Sequence, residues 1–161
     1  MKKRLLVICC CFVLIIGGIA IFFKHFKRNN EIFQFAIYPT GAYDETYHFI
    51  LEQDGTLKCF FGTRDSNDIE QKDFMRSVKH STEKVLDKNN MQTLIDLANE
   101  LADSGFNEKI QIVRDSWDVV LLYNGKIIGM NWYTKNSEIF KELADEIMEL
   151  SPIPVNLHSW S

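Results

Sequence analysis

The feature that most constrains this chain is an uninterrupted apolar run near the N-terminus. Residues 5–23 contain no charged side chain and are rich in Leu, Ile, Val and Phe. As a helix that rises about 1.5 Å per residue, the run would be about 28 Å long, close to the thickness of the bilayer hydrocarbon core. The sequence therefore predicts one transmembrane helix at 5–23, with a basic head at 1–4 and a basic linker at 24–30.

Two other interpretations of this segment stay open. Gly18 and Ala20 have the spacing of small residues that a signal peptidase requires, which fits a cleaved secretory signal. The apolar run continues past them to Phe23, and this length favours an uncleaved anchor. A lipoprotein anchor is disfavoured because Ile8 precedes Cys9 in the middle of the run. The three adjacent cysteines are interpreted as small apolar side chains of a membrane helix.

Basic residues flank the apolar run on both sides and do not decide its orientation, since each flank carries three Lys or Arg. A short head followed by a long C-terminal domain is typical of signal anchors. We therefore predict a single-pass protein of the cell membrane, which contacts the lipid bilayer through residues 5–23 and has its C-terminal domain outside.

Charge is distributed unevenly along the chain. Residues 1–30 carry six of the 18 basic side chains and none of the 22 acidic ones, which leaves a net charge of −10 for residues 31–161. An acidic surface repels phosphate backbones, so nucleic acid is not expected as a partner. A protein or a cell-envelope component is the expected partner.

Alternating apolar and polar residues predict the strands of the domain. Residues 33–38 have the two-residue period of a half-buried strand. Residues 46–62 show this period on both sides of an Asp-Gly pair, and residues 117–133 show it on both sides of an Asn-Gly pair. Such pairs favour tight turns, so each segment is predicted to form a hairpin.

The remaining strand signals are weaker. Residues 64–73 are strongly polar without either apolar period, which predicts an exposed loop. Residues 74–80 are predicted to form a short edge strand, and Ile110 and Ile112 mark another strand.

Two amphipathic helices are predicted. Asp87 suits the start of the first helix and Gly105 its end, while Asn136 suits the start of the second and Ser151-Pro152 its end. In both segments the apolar residues recur every three or four positions. These residues are Met91, Leu94, Ile95, Ala98, Leu101 and Ala102 in the first helix, and Phe140, Leu143, Ala144, Ile147 and Leu150 in the second.

The order of strands, helix, strands and helix predicts an α+β fold. We expect an antiparallel sheet of five to six strands built from hairpins, with two helices packed on one face, preceded by one transmembrane helix. The α+β domain is assigned to residues 31–152 and an irregular tail to 153–161.

The sheet face opposite the helices, called the far face below, is expected to be partly uncovered. Strand segments such as 119–123 are apolar on both faces, and two helices can cover only one of them. Three arrangements remain open: the sheet curls on itself, the polar loop and the tail fold over it, or a partner covers it. A second copy of the chain, in a homodimer, is one such partner.

Five aromatic residues are candidates for binding a partner. Trp117, Trp132 and Tyr133 are predicted near the rim of the far face, and Tyr43 and Tyr47 are further candidates. Tyr and Trp are frequent at interfaces because they combine an apolar body with a polar group. The alternative is that they pack in the core or at its edge.

One set of residues suggests acid–base chemistry. Asp44, Glu45 and His48 lie close in sequence, but catalysis requires matched geometry and pKa values, which spacing does not show. A hydrolytic enzyme would require the three side chains to converge in a pocket. The sequence contains no Gly-rich phosphate loop, Gly-x-Ser-x-Gly motif or Cys-x-x-Cys pair, so neither a catalytic residue nor a cofactor is assigned.

No metal site is predicted. The acidic loop at 64–73 does not match a calcium-binding loop because Ile69 occupies a ligand position. Cys59 is predicted to be an unreactive core thiol, since it lies among apolar strand residues. The histidines are too scattered for a helical zinc site. They are His25, His48, His80 and His158.

These patterns favour a membrane-tethered, extracytoplasmic interaction module without catalytic activity. The first alternative is an immunity or inhibitor protein that uses its acidic surface against a basic secreted toxin or hydrolase. The second is a hydrolytic enzyme that uses the Asp44, Glu45 and His48 cluster.

Overall fold

The computed structural model describes residues 30–106, 116–133 and 137–158, which form six strands and two helices. The predicted strand at Ile110 and Ile112 lies outside these ranges. The strands are β1 Glu31–Pro39, β2 Thr46–Glu52, β3 Thr56–Arg64, β4 Met75–Val85, β5 Trp117–Tyr123 and β6 Lys126–Asn131. The helices are α1 Lys88–Asp103 and α2 Glu138–Leu150.

The six strands form one sheet in the order β4-β3-β2-β1-β5-β6. The β2–β3, β3–β4, β1–β5 and β5–β6 pairs are antiparallel. Asn124 and Gly125 join β5 to β6 with φ angles of 50° and 71°, a conformation that favours Asn and Gly in a tight hairpin turn. β1 lies in the interior of the sheet, where Phe35 is opposite Leu121. From Phe35 to Pro39 every residue is buried, so this part of β1 is covered on both faces.

Both helices pack against one face of the sheet, called the helix face below, and form the main core with it. Asp87 accepts hydrogen bonds from Asn89 N and Asn90 N at 2.9 Å and so caps α1 as predicted. The residue that caps α2 is Ser137, whose Oγ accepts from Phe140 N at 3.2 Å. The predicted cap, one residue earlier, was therefore wrong.

The far face carries a second, smaller core. The loop between β3 and β4 crosses this face and buries Ile69 and Phe74 against Ala36, Tyr38 and Val120. The prediction of an exposed polar loop at 64–73 was therefore wrong at Ile69, and Phe74, predicted to begin an edge strand, is buried with it. Burial of two isolated apolar side chains leaves no periodic pattern in the sequence, although it is enough to hold a loop on a sheet.

β4 is longer than the short strand predicted at 74–80, since it extends over eleven residues from Met75 to Val85. Met75 is half-buried and every following residue is exposed. A strand that is exposed on both faces does not need alternating apolar residues, which explains why the pattern was poor.

The predicted fold class needs correction. In the ranges that the structure describes, the chain is an antiparallel six-stranded sheet with two helices, and neither helix is long and apolar enough to cross a membrane. α1 has 16 residues and α2 has 13, and both carry charged side chains along their outer faces. The run at 5–23, to which the transmembrane helix was assigned, lies outside the described residues.

Candidate functional site

The five aromatic residues predicted to bind a partner do not lie on one surface. Trp117 and Tyr47 are buried in the main core on the helix face, and Trp132 is half-buried against the same core. Tyr43 and Tyr133 are about half exposed, at 53% and 47%. The fold therefore packs Tyr47 beside Trp117, and the backbone N–H of Trp132 donates to the carbonyl oxygen of Trp117 at 2.8 Å. Tyr43 and Tyr133 are exposed and do not join this group. A binding role for these residues stays a prediction.

Trp117 and Tyr47 lie beneath the C-terminal segment. The indole Nε1 of Trp117 donates a hydrogen bond to the carbonyl oxygen of His158 at 3.0 Å. The phenol oxygen of Tyr47 accepts one from the backbone N–H of Asn156 at 3.3 Å. Sequence reasoning missed this arrangement, because nothing in the local pattern links a strand residue to the tail.

Tyr43 belongs to a different group, which surrounds the buried Arg64. The guanidinium carbon of Arg64 lies 4.0 Å from the ring centre of Tyr38 and 4.9 Å from that of Tyr43. Arg64 Nε donates to Asn67 Oδ1 at 3.1 Å, and its terminal nitrogens donate to Thr46 Oγ1 and to the carbonyl oxygen of residue 39. Burial lowers the pKa of Arg64, while the nearby phenols and Asp118 oppose the shift.

Asn131 organises the neighbouring polar group at the start of β5. Its Nδ2 donates to Asp118 Oδ1 at 3.1 Å, and its Oδ1 accepts from Ser116 Oγ at 2.7 Å and from Tyr133 N at 3.2 Å. Burial raises the pKa of Asp118, and the hydrogen bonds from side chains oppose the shift. This network joins β5 to β6 and explains why Tyr133 is held beside the sheet.

Asp44, Glu45 and His48 have separate partners. Asp44 Oδ1 accepts from Thr63 Oγ1 at 2.7 Å, and Glu45 Oε2 lies 3.6 Å from His158 Nε2. In the described part of the chain, no hydrogen bond joins any two of the three predicted acid–base residues. Glu45 faces the tail on the helix face and His48 lies on the far face, so the cluster does not converge.

His48 is enclosed on the far face. Its ring contacts the edge of Phe74, with ring centres 5.1 Å apart, and its Nε2 lies 3.1 Å from Gln34 Oε1. Burial lowers the pKa of His48 from 6.5 to about 4. The imidazole is therefore neutral at pH 7, and its surroundings are those of a packed core residue.

The remaining chemical candidates are also packing residues. Cys59 is buried, and burial raises the pKa of its thiol to about 11, so little thiolate exists at neutral pH. Across the described ranges, no group of three or more His, Cys, Asp or Glu residues is arranged to hold a metal ion. A shallow hollow of mixed polarity lies between the end of α1 and β6, with Phe106, Lys126 and Ile128 in its wall.

Among the described residues, the exposed large aliphatic side chains lie on the two outermost strands of the sheet. Val78 and Val85 are on β4, and Ile127 is on β6. Within the described residues, β4 is the last strand of the sheet and pairs with β3 alone, so no neighbouring strand covers its outer edge there. No known protein family matches the chain, and no curated protein matches it in sequence.

Proposed function

We propose that this chain is a non-catalytic interaction module that binds an extended segment of a partner protein along the outer edge of β4. The observation that carries the proposal is the exposure of this strand. β4 is eleven residues long, lies at the end of the sheet and is exposed from residue 76 onward. Proteins usually shorten or cover such an edge, because its backbone N–H and C=O groups pair readily with another strand. A partner segment can use the same groups for recognition.

The pairing of β4 with β3 defines where a partner would dock. The register shifts twice, between Phe61 and Gly62 and again between Thr63 and Arg64. β-Bulges of this kind break the regular spacing of backbone groups and blunt that part of the edge. From His80 to Val85 the pairing is continuous, so these six residues offer the regular hydrogen-bonding edge.

The charge of β4 indicates the kind of segment that fits. The strand carries Arg76, Lys79 and Lys84 against a single acid, Glu83, whereas residues 31–161 as a whole carry a net charge of −10. Opposite charges on neighbouring strands stabilise pairing and like charges oppose it. Lys84 and Glu83 balance within the docking stretch at 80–85, so the partner segment is expected to be extended, with its acidic residues opposite Arg76 and Lys79 next to that stretch.

Photo-crosslinking in the full chain tests this proposal. A benzophenone amino acid replaces Glu83 on β4, and a matched probe replaces Thr93, which is exposed on α1. We expect a discrete crosslinked partner from position 83 and none from position 93. Equal crosslinking from both positions would contradict the proposal.

Proline substitution separates the two edges of β4. Neighbouring residues of an antiparallel strand point their N–H groups to opposite edges of that strand. Of the two variants Ser81→Pro and Thr82→Pro, one therefore removes an N–H group at the outer edge, and the other removes an N–H group that pairs with β3. The variant that keeps the wild-type thermal unfolding temperature should lose the crosslink from position 83. A crosslink that survives in both variants would exclude the outer edge as the binding site.

The inhibitor alternative is supported by the outer face of α2. This face exposes Glu138, Glu142, Asp145 and Glu149, and Lys141 is paired with Asp145 at 3.5 Å. An acidic helix face suits a basic partner, and such binding weakens steeply with salt. The same photo-crosslinking amino acid can replace Glu142 on this face. A crosslink from position 142 that disappears at high salt, together with no crosslink from position 83, would favour the inhibitor function instead.

A further inference from the structure

The C-terminal segment after α2 lies extended across the edge of the main core. Ser151 Oγ accepts from Ile153 N at 3.1 Å and so turns the chain away from the helix. From residue 152 to 158 the chain forms neither helix nor strand. Half-buried residues alternate with exposed ones, and the half-buried ones are apolar. They are Ile153, Val155 and Leu157, all of which pack against the main core.

The surface beneath the segment is aromatic. We call Tyr47, Phe61 and Trp117 the aromatic floor. The ring centres of Tyr47 and Phe61 are 4.8 Å apart, and those of Tyr47 and Trp117 are 6.4 Å apart. The floor is built by β2, β3 and β5, so the sheet holds it independently of the tail.

The floor holds the backbone of the segment by hydrogen bonds from its own side chains. Trp117 donates to the carbonyl oxygen of His158, and Tyr47 accepts from the N–H of Asn156. Neither bond depends on the identity of the tail side chain at that position. The His158 ring adds an edge contact to Trp117, with ring centres 5.8 Å apart, and lies near the Glu45 carboxylate.

These features are those of a peptide-recognition groove. Grooves that bind extended, proline-containing segments use aromatic side chains both as apolar surfaces and as hydrogen-bonding groups for the peptide backbone. We propose that the aromatic floor is a peptide-binding site that the chain's own residues 153–158 occupy in cis. In trans, the site binds an extended peptide with apolar residues at alternate positions, the pattern of Ile153, Val155 and Leu157.

This site differs from the outer edge of β4, so it would be a second binding function and does not rest on the first. Its control is intramolecular. A segment attached directly to the end of α2 competes at an effective concentration of order mM, so a free peptide binds measurably only when the tail is released. Because the three apolar tail residues are only half-buried, release of the tail loses less apolar burial than release of a fully buried segment would.

Peptide binding to the full chain tests the proposal. The probe is a fluorescent peptide with the sequence of residues 151–158, and the tail is loosened by the double substitution Val155→Asp and Leu157→Asp. We expect the loosened variant to bind the probe at least about tenfold more tightly than the wild type, because the competing segment no longer fills the groove. A loosened variant that keeps its circular dichroism spectrum but binds the probe no more tightly than the wild type would overturn the proposal.

Two further variants decide the result if the double substitution unfolds the chain. Asn156→Pro removes the N–H that donates to Tyr47 but leaves the apolar tail residues in place, so it should also increase probe binding over the wild type. In that background, Tyr47→Phe should weaken probe binding, whereas the matched control Tyr43→Phe should not. Unchanged binding in Asn156→Pro, or equal effects of the two tyrosine variants, would contradict a site on the aromatic floor.

Discussion

His48, Arg64 and Asp118 are ionisable side chains that the fold buries on the far face. Each retains polar partners: Gln34 contacts the imidazole, three oxygen acceptors contact the guanidinium, and Asn131 donates to the carboxylate. Burial disfavours the charged form of all three groups, and hydrogen bonds offset part of that cost. The stability of the domain must therefore depend on pH at these residues.

For His48 the direction of the dependence follows from its pKa. The pKa is 6.5 in the unfolded chain and about 4 in the folded one, so below about pH 6.5 the unfolded chain binds a proton that the folded chain excludes. We expect the free energy of unfolding to fall as the pH decreases from 6.5 to 4, by roughly 3 kcal/mol at most. Urea denaturation at several pH values measures this change.

The matched control is His48→Gln, which is neutral at all these pH values and keeps a hydrogen-bonding side chain for Gln34. Groups other than His48 contribute equally to both proteins, so the difference between the two curves isolates the histidine. If the free energy of unfolding changed with pH in the same way for wild type and variant between pH 7 and 4.5, the fold would not lower the pKa of His48.

At the scale of the elements, β4 shows how a strand without an amphipathic pattern is held in place. Its inner edge follows β3 through two register shifts, and at the first of them the backbone of β4 comes very close to Gly62. A Cβ atom added to Gly62 would clash with the backbone carbonyl group of Ser77. The bulge that shapes the proposed docking edge therefore requires glycine on the neighbouring strand.

Gly62→Ala should consequently destabilise the domain by about 2 kcal/mol or more, because the clash is with backbone atoms and cannot be relieved by a side-chain rotation. Gly41→Ala is the matched control. Gly41 has a φ of 80° but no atom within 4 Å of an added Cβ, so only about 1 kcal/mol of backbone strain is expected there. Equal losses of stability in thermal unfolding would show that β4 does not approach Gly62 as described.

At the scale of the whole molecule, the sheet separates two kinds of surface. The helix face is covered by α1, α2 and the tail, while the far face is covered in part by the loop between β3 and β4. Among the described elements none pairs with the outer edge of β4, and its residues from 76 onward are exposed. The proposed partner segment and the proposed peptide thus have separate sites, and each can be occupied without the other.

The location of the chain is a proposal that follows from residues 5–23. Because this run is apolar and uncharged, we expect the full chain to remain with the membrane fraction after an alkaline carbonate wash, and a chain that begins at residue 30 to be released. A C-terminal alkaline phosphatase fusion should be active if the domain is outside. Recovery of the full chain, with its first residues intact, in the supernatant would contradict membrane attachment.

Local features of this fold could be read from the sequence. The Asn124-Gly125 turn and the Asp87 cap each depend on residues within a few positions of one another, so local geometry determines them. The apolar stripe of α2 was also visible, because a helix repeats its buried face every three or four residues. For the candidate sites, the sequence indicated which residue types can bind but not where they lie.

The contacts between distant parts of the chain were decided only by the tertiary structure. Trp117 meets His158 across 41 residues, and Ile69 reaches the far face from a loop that is otherwise polar. The sequence predicted only a short edge strand at 74–80 and missed the full length of β4, because a strand with both faces in solvent needs no apolar alternation. Local preferences act over a few residues and specify turns, caps and stripes. Whether a side chain is buried depends on which other segments of the chain pack against it. Only the assembled sheet therefore determines which side chains remain available to a partner.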